Sequence, residues 1–145
     1  SLTLGLSIDP AFANDPSQAN SPTWIAPARA ARKVNPLAQD PTAPARGKNS
    51  FAAACSPCHG PTGKGDGPAG SFLQRGGARV RPRDLTDPAL WEEPDGALFW
   101  KISEGKAPMP SFHETLSEQQ RWEIVAFVRT LAPKPSSTNT TNGGQ

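Results

Sequence analysis

Within Cys55-Ser-Pro-Cys58-His59, two thiols and an imidazole fall in five residues, and the chain has no other cysteine. No other feature limits the possible folds as strongly, because a C-x-x-C-H run reads as an attachment site for c-type haem. The two thiols can add to the haem vinyl groups, and the adjacent imidazole can coordinate iron from one face. The single methionine, Met109, lies downstream in Gly105-Lys-Ala-Pro-Met-Pro-Ser-Phe112. Its thioether can close the opposite face, since Pro108 and Pro110 limit how far the loop wanders. A soft thioether stabilises ferrous iron relative to a second imidazole and raises the reduction potential. One covalent haem c with a His59/Met109 axial pair is therefore expected, and that chemistry is electron transfer.

Two other readings of the cysteine pair are weaker. A thioredoxin-like dithiol opens a helix after a strand in a βαβ unit, and no such unit is visible. A zinc site needs more Cys or His ligands, yet His113 is the only other histidine. His113 also competes for the distal iron position. It follows Phe112 and precedes Glu114 near the start of the last predicted helix, so an exposed imidazole is expected instead.

A chain of 145 residues suits one domain with appended segments. Its 17 prolines and 35% hydrophobic content imply a small regular core, which a large apolar porphyrin would complete. Cofactor-free protein is accordingly expected to fold poorly. Fifteen basic against 13 acidic side chains give a net charge of +2, so nucleic-acid binding is poorly motivated. No run is long enough to span a bilayer. Haem attachment at this motif normally happens outside the cytoplasm, which predicts a soluble periplasmic or otherwise extracytoplasmic protein. Ala11-Phe-Ala13, after Leu2, Leu4, Leu6 and Ile8, fits the end of an export signal; an exposed N-terminal arm fits equally well.

Three regions are expected: a Pro-rich extension over 1–45, a haem domain over 46–132 and a polar tail over 133–145. Prolines oppose a long helix in the extension, although a short helical turn fits Ala28 to Val34. Trp24, Ile25, Val34 and Leu37 are expected to anchor it; a flexible linker with incidental apolar residues is the alternative. Gly47 to Cys55 can form a helix entering the motif, and Gly60, Pro61, Gly63, Gly65 and Gly67 impose turns after it. Pro94 and Asp95 can start a helix that stops at Gly105. Ser117 with Gln120 resembles a capping box ahead of a helix carrying Trp122, Ile124, Val125, Phe127, Val128 and Leu131, which Pro133 and Pro135 end.

A ligating imidazole needs a fixed tautomer. Pro68, across the glycine-rich turn from His59, offers a carbonyl to accept its second ring proton. Arg79, Arg81 and Arg83 form a basic run in which Arg81 or Arg83 suits a haem propionate; a solvated face is the alternative. Trp91 or Trp100 can also meet a propionate through the indole nitrogen, with core packing the simpler role for each.

The stretch from Gly47 through Leu131 resembles a class I cytochrome c. The matching elements are the Gly47/Phe51 helix, Cys55-Ser-Pro-Cys58-His59-Gly60, Gly65-Asp-Gly-Pro68, the Met109 loop and the last helix with Trp122 and Phe127. The resemblance implies an all-α fold around one covalent haem, with the first and last helices crossing closely at Gly47 and Phe127 packed across the crossing. It also implies Pro68 as the partner of His59. Over roughly residues 24–131, Trp24-Ile-Ala-Pro27, Asn35-Pro36 and Gly60-x-x-Gly63-x-Gly65-Asp-Gly-Pro68 are similar to bacterial mono-haem cytochromes associated with alternative complex III or terminal oxidases. No lipid-attachment cysteine is visible, so a permanent membrane anchor is not expected.

The expected role is a one-electron carrier that docks transiently on respiratory redox proteins and is not itself an enzyme. A haem peroxidase or a small-ligand-binding regulatory module is the alternative, requiring open iron in place of Met109 ligation.

Overall fold

A computed structural model describes residues 24–135 apart from Gly76; the expected signal remnant and the polar tail beyond Pro135 lie outside them. Five helices carry the architecture: α1 (Ala28–Ala31), α2 (Ala43–Ala54), α3 (Ser56–His59), α4 (Asp95–Glu104) and α5 (Glu118–Leu131). Two-residue strands β1 (Gln74–Arg75) and β2 (Ala78–Arg79) pair antiparallel, with Gln74 opposite Arg79. The domain is thus all-α with one small hairpin, which the all-α expectation lacked.

Helix α2 starts at Ala43, ahead of the anticipated Gly47, with Pro44 in its first turn. Proline is tolerated there because its missing N–H has no intrahelical partner anyway. Pro57 likewise sits in the first turn of α3, so the chain breaks at Cys55 and restarts helical through His59. Helix α5 opens on a complete capping box: Gln120 N–H donates to the Ser117 hydroxyl, and the Ser117 N–H donates to the Gln120 side chain. Its apolar residues Trp122, Ile124, Val125, Phe127 and Val128 are all buried.

The core forms where α5 crosses α2. A methyl group on Gly47 would lie 1.8 Å from the Glu123 carbonyl oxygen, so only glycine lets the two backbones approach this closely. Phe51 and Phe127 meet across the crossing at 5.1 Å between ring centroids. Phe99 of α4 stacks on Trp122 at 4.0 Å. Phe51, Leu90, Trp122, Ile124 and Val125 are almost fully buried, and burying each such side chain contributes about 1.5–3 kcal/mol.

The extension is tied into this core by polar contacts. Asn35, buried, donates to Asp95 at 2.8 Å and accepts from the Leu37 N–H at 2.8 Å. Asp95 in turn accepts from Arg129 at 2.8 Å, joining extension, α4 and α5. Leu37 packs against the core as expected. Ile25 and Val34 do not: they are 73% and 82% exposed. The polar Asn35 clamp, rather than those apolar side chains, holds the segment.

Candidate cofactor-binding site

Cys55 stands at the α2–α3 junction, and Cys58 and His59 are the last two residues of α3, because the helix restarts immediately after Cys55. All three line one cavity of about 750 Å³, together with Met109, Arg81 and Arg83. Cofactor pockets typically span roughly 300–1,000 Å³. Leu73, Val80, Ala97, Pro108, Pro110 and Phe112 supply apolar walls.

Cys55 and Cys58 are not joined by a disulfide. Burial, assisted by the neighbouring Cys58, pushes the Cys55 thiol up to about 12. A redox dithiol needs the opposite shift, because the thiolate is the attacking species. Among the described residues, no group of three or more His, Cys, Asp or Glu side chains is arranged to hold a metal ion. Neither the dithiol nor the zinc reading gains a structural basis.

The His59 ring nitrogen Nδ1 lies 3.2 Å from the carbonyl oxygen of Arg83. A carbonyl only accepts, so Nδ1 carries the proton and Nε2 keeps the lone pair. Burial holds the imidazole below its ordinary pKa, partly opposed by this hydrogen bond. The partner is thus Arg83 and not Pro68. The reason lies in how the glycine loop folds. Gly65 and Gly67 N–H groups donate back to the His59 and Cys58 carbonyls at 2.8 and 3.1 Å, and Pro68 leads straight into a 3-10 turn over Ala69–Phe72. Gly65 has φ +76°, and a side chain there would meet the Pro82 carbonyl at 2.4 Å. Leu85 N–H donates to the Gly63 carbonyl at 2.7 Å. Residues 82–85 are therefore seated on this loop, which brings the Arg83 carbonyl to the imidazole.

Met109 is held in a tight turn: Lys106 and Met109 exchange backbone hydrogen bonds of 3.0 and 2.9 Å. Arg75 Nε and Nη2 both donate to the Ala107 carbonyl, at 3.2 and 2.9 Å. The hairpin thus braces the methionine turn. His113 lies elsewhere, exposed and paired with Glu114 at 2.7 Å, as its sequence context suggested.

Neither expected tryptophan lines the cavity. Trp91 directs its indole N–H to the Ala132 carbonyl at 3.1 Å, closing the end of α5. Trp100 contacts Trp24 at 6.3 Å between centroids, and it is Trp24 that lines the cavity. Lys101, another cavity residue, lies 5.5 Å over the Trp24 ring. Arg83 and Lys101 both pair with Glu93. Burial raises the Glu93 carboxyl, but these hydrogen bonds outweigh it and hold the group below its usual value. Arg83 is thus already engaged with a carboxylate, whereas Arg81 has no ion-pair partner among the described residues.

The family model for cytochrome c oxidase, cbb3-type, subunit III matches residues 42–128. Among solved structures, a chain of the reducing HAO-like protein complex of Kuenenia stuttgartiensis is similar, with a TM-score of 0.57 and 27% identity over 64% of this chain. The match spans 45% of that longer chain. No curated protein matches in sequence. No helix among the described residues is long and apolar enough to cross a membrane.

Proposed function

The chain belongs to the cytochrome c oxidase cbb3-type subunit III family, and on that premise we propose that it is a mono-haem electron carrier of the class I cytochrome c type. The observation that carries this reading is the convergence of Cys55, Cys58, His59 and Met109 on one cavity.

The residues present suit a covalently held haem c. Cys55 and Cys58 supply two thiols for the thioether links. His59 presents the Nε2 lone pair, fixed by its Nδ1 hydrogen bond to Arg83. Met109 would offer its thioether sulfur to the iron from a turn braced by Arg75. Arg81, without an ion-pair partner among the described residues, would offer its guanidinium to a propionate, and Arg83 shares its charge with Glu93. Trp24, Leu73, Val80 and Phe112 give the cavity apolar walls. When bound, the haem supplies a reversible one-electron couple at iron. Holding His59 and Met109 in place in each oxidation state would keep the reorganisation small, so the chain's task is to hold the group rigidly.

Covalent attachment at this motif supports a periplasmic or otherwise extracytoplasmic location. Its partners are respiratory redox proteins, with a terminal oxidase or alternative complex III as the candidates. Acid–acetone extraction of protein matured with haem tests the covalent assignment. Haem retained by the wild type and extracted from the Cys55→Ala/Cys58→Ala variant is expected; extractable haem in the wild type would contradict it.

A further inference from the structure

Between Asp66 and Asp84 the chain carries four arginines and no acidic residue. Arg83 is paired with Glu93. Arg75, Arg79 and Arg81 have no carboxylate partner among the described residues, since Arg75 donates only to the Ala107 carbonyl. Arg75 and Arg79 stand on the exposed hairpin, and Phe72, just before it, is 83% exposed. An exposed aromatic beside uncompensated guanidinium groups combines the residue types enriched at binding surfaces.

We infer that Phe72, Arg75 and Arg79 form the docking surface for an acidic redox protein, an inference that rests on the electron-carrier reading. Charge complementarity selects the occupant: the hairpin provides cations with no carboxylate partner among the described residues, so the partner supplies carboxylates. Position selects a redox partner over a membrane surface. Leu73, Arg75, Val80 and Arg81 line the cavity, so a protein seated on the hairpin lies against the wall of the cofactor site. The Arg75 hydrogen bonds to Ala107 also join this surface to the Met109 turn. Phe72 and Arg79 lie outside the cavity lining, which lets docking be altered without touching the site.

The test uses haem-loaded protein and an acidic flavodoxin as the probe. With flavodoxin hydroquinone as reductant, the second-order rate constant is expected to fall with ionic strength. Arg79→Glu should lower it about fivefold at low salt, and Phe72→Ser should lower it at all salt concentrations. Reduction by the neutral lumiflavin semiquinone should stay unchanged in both variants. Amide shifts of labelled protein on adding oxidised flavodoxin should centre on Phe72 to Arg81. Unchanged flavodoxin rates in both variants, or shifts centred elsewhere, would overturn the inference. So would hairpin shifts with phosphatidylglycerol vesicles but none with flavodoxin. A chain that carries no reducible haem defeats the carrier reading instead, and the shift map then decides the docking surface alone.

Discussion

The Nδ1 atom of His59 lies 3.2 Å from the carbonyl oxygen of Arg83, 24 residues further along the chain. That contact fixes the imidazole tautomer from a segment that also carries the cation paired with Glu93. Imidazole orientation and cavity charge are therefore set by one stretch of backbone. Its position depends on Gly65, against which Pro82 is seated. Gly65→Ala should consequently shift the reduction potential and broaden the ligand-sensitive haem resonances in NMR, although residue 65 does not line the cavity.

Gly47→Ala should destabilise the folded chain by about 1–3 kcal/mol, the range for overpacking a tight contact. The added methyl meets backbone, the Glu123 carbonyl at 1.8 Å, which cannot swing aside as a side chain would. Denaturant unfolding of haem-loaded protein measures it.

Acid should weaken the same crossing. Burial raises the Glu123 carboxyl, but hydrogen bonds from Arg46 and Gln119 outweigh this and hold it below its ordinary 4.5. A depressed folded-state pKa contributes stability that is present above the unfolded value and lost as pH falls through the folded value. Melting temperature should therefore decline as pH drops below about 4.5, and Glu123→Gln should make that decline shallower. An unchanged acid slope in the variant would contradict the assignment.

Met109→Leu should abolish the weak ferric charge-transfer band of methionine ligation and lower the reduction potential, since the soft sulfur favours ferrous iron. The Arg75→Leu variant should weaken the same band without abolishing it, because it frees the turn and leaves the sulfur in place.

Haem-free chain should lose cooperativity. Cys55→Ser/Cys58→Ser protein produced without haem is expected to show reduced helical circular dichroism and a broad thermal transition. A sharp transition equal to that of loaded protein would show that the cavity walls need no group to hold them.

Much of this arrangement was legible in the sequence where local rules decide it. Five contiguous residues specify the thiol–imidazole junction, the Ser117/Gln120 box specifies where α5 starts, and Gly47 specifies where α2 admits α5. The region from Gly60 to Pro94 was less legible, because its structure comes from glycine turns and not from apolar periodicity. The His59 partner consequently moved from Pro68 to Arg83, and the cavity tryptophan from Trp91 or Trp100 to Trp24. The Gly76-Gly77 pair between Arg75 and Ala78 was a readable hairpin signal. Nothing local announced that Arg75 would brace the Met109 turn, since that contact spans 32 residues.

A redox titration with absorption spectra in both oxidation states bears most directly on the central claim that this chain holds one His59/Met109-ligated haem for electron transfer. A single reversible one-electron step between two low-spin, six-coordinate spectra, with the ferric charge-transfer band present and ferrous protein resistant to carbon monoxide, is the predicted result. High-spin ferrous protein that binds carbon monoxide rapidly under native conditions would contradict it.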